Sequence, residues 1–190
     1  MRRPIPEWLR YTWPHRLACA VRDRWVLRAW ERGDRQGQVP HPVKRAAVLE
    51  CARRHGVRIL VETGTFRGEM LFACRNRFDA LYSVELDPEL AASAQRIFSR
   101  WNHIHILQGD SALRLHEILK ELRHRALFWL DAHYCGPAAG RAGKDTPILD
   151  ELRLILAHPI PSHAILVDDA HCFGTADGYP SVEECRRFVL

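Results

Sequence analysis

The stretch VRILVETGTFRGEM (57–70) decides the fold. Its first half is a near-continuous apolar run of the kind a buried parallel strand carries, and it ends on an acid, Glu62. Its second half is a turn with glycines at 64 and 68, and helix-forming residues follow. Four more apolar runs succeed it: ALYSVE (80–85), IHIL (104–107), ALFWLD (126–131) and AILVDD (164–169). Helical stretches separate them. Strand and helix in strict alternation imply an α/β domain, doubly wound, with a mostly parallel sheet and right-handed crossovers.

The helix starts are written into the chain. Asp87-Pro88 places an N-cap before a proline at the first helical position, and Thr146-Pro147 repeats the device. Ser181 with Glu184 has the spacing of a capping box. Upstream, residues 1–15 hold three prolines. Residues 16–32 read as a helix with Leu17, Val21 and Trp25 at i, i+4 spacing. A turn-rich segment, GDRQGQVPHP (33–42), then precedes a second helix from Pro42 to Gly56 that carries Ala46, Leu49, Cys51 and Ala52. The expected organisation is a basic, Trp-rich extension over 1–41 and one domain over 42–190.

Charge is uneven. Residues 1–56 hold 13 Lys/Arg against 5 Asp/Glu, whereas residues 57–190 hold 15 against 18. The overall excess of +5 is thus an N-terminal property. A helix packed on the domain accounts for it more simply than nucleic acid or a membrane surface, and no nucleic-acid partner is expected. No window of about 18 apolar residues is present, so no membrane-spanning helix is expected. The N-terminus makes a poor signal peptide because Arg10, His15 and Arg16 interrupt it. The six cysteines show no CxxC spacing. Free thiols in a reducing cytoplasm fit best, not a disulfide framework or a zinc site.

Acids mark the strand ends: Glu62, Glu85, Asp131 and Asp168, with Asp110 two residues past IHIL. Ligands of open α/β sheets bind beyond the carboxyl ends of the strands. One or two such acids could merely cap the next helix. Five on one edge repel one another unless something cationic or rich in hydroxyls sits among them. The turn's G-x-x-x-G spacing differs from the dinucleotide fingerprint G-x-G-x-x-G, and alone it is an ordinary strand-to-helix turn.

In order, these features resemble the class I S-adenosylmethionine-dependent methyltransferases across about residues 42–190. The resemblance implies a Rossmann-like core with strand order 3-2-1-4-5. It implies that Glu62, Gly64, Thr65 and Gly68 wrap the methionine part of the cofactor. Glu85 would take the ribose hydroxyls, and Asp110 and Ser111 would hold the adenine. The string FWLDAHY (128–134) with LVDDAH (166–171) is similar to the metal-dependent macrocin and sugar O-methyltransferases. That likeness implies Mg²⁺ on Asp131, Asp168 and Asp169, a hydroxylated small-molecule acceptor, and a base two residues after the first Asp. Here that position is His133, where the family has an acid.

Two alternatives stand beside this reading. Asp-Ala-His also resembles the metal motif of arginase-like hydrolases, although Cys135 replaces the second Asp. A non-catalytic nucleotide-binding module would keep the glycine turn and have no need of Asp131, Asp168 and Asp169. The last two strands of the methyltransferase core are not in evidence, so an open sheet edge is expected, which a second copy of the chain could cover.

Overall fold

A computed structural model describes residues 13–33, 39–131, 147–168, 173–174 and 180–189. The chain divides into two compact units, Met1–Ala47 and Val48–Leu190. Two helices come first, α1 (Trp13–Arg32) and α2 (His41–His55). In the first unit Asp23 is buried, and Arg45 donates to it at 3.0 Å. Val21 and Trp25 do not form a buried stripe; they are 55% and 67% exposed.

Five strands follow: β1 (Ile59–Thr63), β2 (Ala80–Glu85), β3 (Ile104–Gln108), β4 (Leu127–Leu130) and β5 (Ala164–Val167). All pairings among them are parallel, in the order β3-β2-β1-β4-β5. The order in which strands are added reverses about β1, and this makes the switch point of a doubly wound sheet. Helices α3 (Glu69–Cys74), α4 (Pro88–Phe98), α5 (Ser111–Glu121) and α6 (Ile148–Leu156) connect the strands, and α7 (Val182–Val189) packs against α6.

The sheet parts two cores because strand side chains alternate. Leu60, Leu81, Leu127 and Trp129 face one way and pack with Met70, Leu71 and Cys74 of α3 and Ala94 and Phe98 of α4. Val61, Val84, Phe128 and Leu130 face the other way and pack with Leu115 and Ile118 of α5 and Leu152 and Ile155 of α6. Each fully buried Leu or Phe contributes roughly 1.5–3 kcal/mol. Along α2, Val48 and Ala52 are buried, whereas Ala46, expected on the apolar side, is exposed.

Two of the sequence-read caps form. Asp87 accepts from the N–H groups of Glu89 and Leu90, at 2.8 and 2.9 Å. Ser181 and Glu184 bond reciprocally: Ser181 N–H donates to Glu184 at 2.7 Å, and Glu184 N–H donates to Ser181 at 3.1 Å. The third differs, since α6 starts at Ile148 with Pro147 at the cap position and no side-chain cap bond. Thr146 lies outside the described residues. Among the described residues Cys51, Cys74 and Cys185 are free thiols. No helix of the described residues is long and apolar enough to cross a membrane.

At the amino end of the sheet, two histidines join α5, α6, β4 and β5. Ala126 N–H donates to His163 Nδ1 at 3.1 Å, His163 Nε2 meets His158 Nδ1 at 2.9 Å, and His158 Nε2 meets the Leu119 carbonyl at 2.9 Å. A backbone N–H only donates and a carbonyl only accepts, so the chain has one polarity and both rings are neutral. Burial, then the neighbouring His158, holds the His163 pKa below its ordinary 6.5. The unfolded chain therefore takes up this proton more readily than the fold does, and stability is full above pH 6.5 and falls as pH drops below it. Unfolding free energies measured from pH 7.5 to 5 are expected to show this loss, and His163→Gln should flatten the slope. Equal slopes in the two proteins would refute the assignment.

Candidate functional site

The carboxyl ends of β1, β2 and β4 gather the acids. Register sets the arrangement: Glu62 pairs with Ser83 across β1 and β2, and Leu130 pairs with Val167 across β4 and β5. Asp131 and Asp168 therefore leave neighbouring strands at one level. Asp131 N–H donates to the Thr63 carbonyl at 3.0 Å, and Asp168 N–H to the Leu130 carbonyl at 2.9 Å.

Glu62 is 2% exposed. Its Oε2 accepts from the Ser83 hydroxyl at 2.6 Å, and Thr65 Oγ1 lies 2.6 Å from Ser83 Oγ. The Ser83 proton goes to Glu62, so Thr65 donates to Ser83 in turn. The hydroxyl of Thr65 is thus turned into the protein. Burial pushes the Glu62 pKa up to about 8; the Ser83 bond opposes this, and the charges of Asp131 and Glu85 add to it. Near neutral pH this carboxyl is largely protonated, chiefly because burial penalises its charged form.

Glu85 is 8% exposed at the end of β2. Phe66 N–H donates to its Oε2 at 2.6 Å and Asp87 N–H to its Oε1 at 3.0 Å. Each carboxylate oxygen carries a second lone-pair site, so two further hydroxyl donors can be accepted side by side. The turn before α3 is shaped for this grip. Positive φ recurs at Gly64 (91°), Phe66 (46°) and Gly68 (69°), and Gly64 N–H and Thr65 N–H both donate to the Val84 carbonyl. Successive N–H groups in such a turn make an anion-binding concavity. Here one N–H of the turn, that of Phe66, holds the carboxylate of Glu85. Gly68 is required twice over: its φ is left-handed, and a Cβ there would sit 2.6 Å from the Phe98 ring.

Past β3, Gly109 N–H donates to the Glu85 carbonyl at 2.8 Å. Asp110 is the N-cap of α5, accepting from Leu113 N–H at 3.1 Å, and Ser111 is buried at the first helical position. Asp110 thus has the capping role that one or two of the edge acids could have.

Four further residues were expected at the site: Asp131, Asp168, Asp169 and His133. Asp131 is half-buried and Asp168 is 5% exposed, and both engage further groups. Asp169 and His133 lie outside the described residues. Among the described residues no group of three or more His, Cys, Asp or Glu is placed to hold a metal ion. Asp131 and Asp168 supply two hard oxygen donors of the kind Mg²⁺ takes.

Sequence reasoning missed Ser83 and Phe66. The signal for Ser83 was a lone hydroxyl in the buried run ALYSVE, two residues before Glu85 and level with Glu62. For Phe66 no signal existed, since an aromatic residue rarely adopts positive φ.

No protein-family model and no curated protein matches the chain. Solved structures match through their fold. An O-methyltransferase from Bacillus cereus in complex with SAH aligns with TM-score 0.59 and 16% identity, covering 88% of this chain and 76% of that one. The O-methyltransferase TomG from Streptomyces achromogenes, involved in tomaymycin synthesis and solved with SAM, aligns with TM-score 0.57 and 18% identity over 89% and 74%. The SAH-bound methyltransferase PaMTH1 from Podospora anserina aligns with TM-score 0.54 and 14% identity over 99% and 84%. This chain shares the Rossmann-like fold of these methyltransferases.

The ionisation of Glu62 has a measurable consequence. The unfolded carboxyl titrates near 4.5 and the folded one near 8. Between these values the fold keeps a proton that the unfolded chain has released, so this group's contribution falls as pH rises from about 4.5 to about 8. Glu62→Gln, which cannot ionise, should gain stability relative to wild type across that window. Parallel stability curves from pH 4.5 to 8.5 would contradict the assignment.

Proposed function

We propose that this protein is an S-adenosylmethionine-dependent O-methyltransferase acting on a hydroxylated small molecule, a sugar or a natural product. The observation that carries the reading is Glu85: a carboxylate at the switch point, held from behind by two main-chain N–H groups, with its remaining lone pairs set for a ribose diol. The shared fold supports it, since the solved structures that align well are methyltransferases, two of them with SAH and one with SAM bound. The hydrolase alternative is not favoured by that comparison. Glu62, Gly64, Thr65 and Gly68 shape the place for the methionine part, and Gly109, Asp110 and Ser111 border the place for the base.

The transfer breaks the bond from sulfonium sulfur to methyl carbon and forms one from that carbon to the acceptor oxygen. The acceptor's hydroxyl proton goes to a base, and SAH leaves with a neutral sulfur. The acidic corner favours the cationic donor over that neutral product. His133 is proposed as the base, its imidazole being the one side chain whose ordinary pKa lies near neutrality. Asp131, Asp168 and Asp169 are proposed to hold Mg²⁺, and Asp131 and Asp168 fit it by chemistry and by adjacent placement. Bound there, the metal would supply a Lewis acid that lowers the pKa of the acceptor hydroxyl. The protein's own part is to align oxygen and methyl carbon and to exclude water.

Methyl transfer from labelled S-adenosylmethionine to hydroxylated acceptors tests this reading. Glu85→Ala is expected to weaken cofactor binding by about 2 kcal/mol, roughly thirtyfold in Kd. Unchanged affinity would remove Glu85 from the site. Full chelation by EDTA should abolish turnover, and persistence would reject the metal while leaving methyl transfer intact. His133→Gln should lower turnover by about a hundredfold or more without weakening cofactor binding. Weakened metal binding instead would make His133 a ligand.

A further inference from the structure

Helix α1 leaves a basic and aromatic face uncovered. Its covered side is marked by Asp23, which is buried, with Val26, Leu27 and Trp30 half-buried. Arg45 and Arg22 bond to Asp23 at 3.0 and 3.3 Å, so this acid is turned inward and its charge is met there. The opposite side carries Val21, Trp25, Arg28 and Arg32, at i, i+4, i+7 and i+11. Packing through Val21 and Trp25, the simpler account of a basic N-terminal helix, does not occur, since these side chains are 55% and 67% exposed. Residues three and four apart are neighbours on a helix. Trp25 is therefore flanked along the axis by Val21 and Ala29, and on its two sides by Arg22 and Arg28. Arg24 and Arg32 are exposed as well, and Glu31 is the one exposed acid among residues 20–33. Adjoining apolar side chains left in water and rimmed by charge mark an interaction surface.

We propose that this face of α1 docks the protein on an anionic phospholipid surface, with the helix lying in the plane of the interface. The charges are complementary: four arginines face lipid phosphates, and the acid that would oppose them is turned inward on Arg45. Trp25 suits the same place, because an indole has an apolar body and a polar N–H and settles at the level of the headgroups. Val21 and Ala29 decide between this partner and a nucleic acid. Nucleic acid offers phosphates to arginine and bases to an indole, but it gives the flanking aliphatic side chains nothing to bury in. A bilayer surface takes all of them together. Two large apolar side chains hold a bilayer weakly, so the arginines supply most of the attraction and the docking requires anionic lipid. No helix of the described residues is long and apolar enough to cross a membrane, so the protein rests on the surface. The inference is independent of the methyl-transfer reading, since α1 supplies none of the residues of that site.

Co-sedimentation of the full chain with vesicles tests this, with phosphatidylcholine alone set against phosphatidylcholine and phosphatidylglycerol in equal parts. Binding is expected to the mixed vesicles only, and to weaken at least about tenfold as salt rises from about 0.05 M to about 0.5 M. Trp25→Ser should weaken it by about tenfold. Replacing Arg24, Arg28 and Arg32 together by glutamine should weaken it by about a hundredfold, roughly fivefold for each charge. Both variants should keep the wild-type Tm, because the replaced side chains are exposed. The proposal is overturned if wild type binds neither kind of vesicle or both alike, or if the variants bind the mixed vesicles as tightly as wild type. It is overturned in favour of nucleic acid if a single-stranded RNA oligonucleotide binds wild type more tightly than the mixed vesicles do and strips it from them.

Discussion

The carboxylate of Glu85 is the point on which the site's loops converge. Phe66 N–H and Asp87 N–H grip its two oxygens, and Gly109 N–H takes its main-chain carbonyl. The turn after β1, the step into α4 and the turn after β3 are thereby tied to one residue at the end of β2. The positive φ values at 64, 66 and 68 follow, because only a turn of that shape aims an N–H sideways at a neighbouring strand end. A turn whose N–H groups are taken up by an internal carboxylate and a main-chain carbonyl is poorly suited to cradle a phosphate. This separates it from the dinucleotide-binding turn that it otherwise resembles.

A second constraint is electrostatic. Glu62, Glu85 and Asp131 crowd one corner, and burial, with a smaller addition from the neighbouring charges, keeps Glu62, the most buried of them, largely protonated. The hydroxyls of Ser83 and Thr65 bridge its side chain to the turn. A corner prepared in this way has room for positive charge. A sulfonium placed there would be attracted by the acidic groups, whereas an anionic ligand would meet repulsion.

Much of this was legible in the chain. Apolar runs gave every strand, because buried parallel strands leave a strong pattern, and the resemblance to the class I methyltransferases implied their order in the sheet. Asp87 and the Ser181–Glu184 pair were readable as caps because capping needs particular residues at fixed offsets. What could not be read depended on contacts between distant segments. Ser83 matters through its register with Glu62, and the protonation of Glu62 depends on burial that no local pattern encodes. Phe66 contradicts its own local preference, so only the folded turn reveals it. Ala46 and the exposed pair Val21 and Trp25 show the converse failure, in which helical spacing implied a buried stripe that tertiary packing does not use.

The account's central claim is that the gripped carboxylate of Glu85 takes a ribose. A crystal structure of the protein soaked with SAH tests this most directly. The account predicts both ribose hydroxyls within about 3 Å of the Glu85 oxygens, with Phe66 N–H still bonded to the same carboxylate. A nucleoside bound away from the carboxyl ends of β1 and β2, or a Glu85 carboxylate left to its main-chain partners alone, would contradict it.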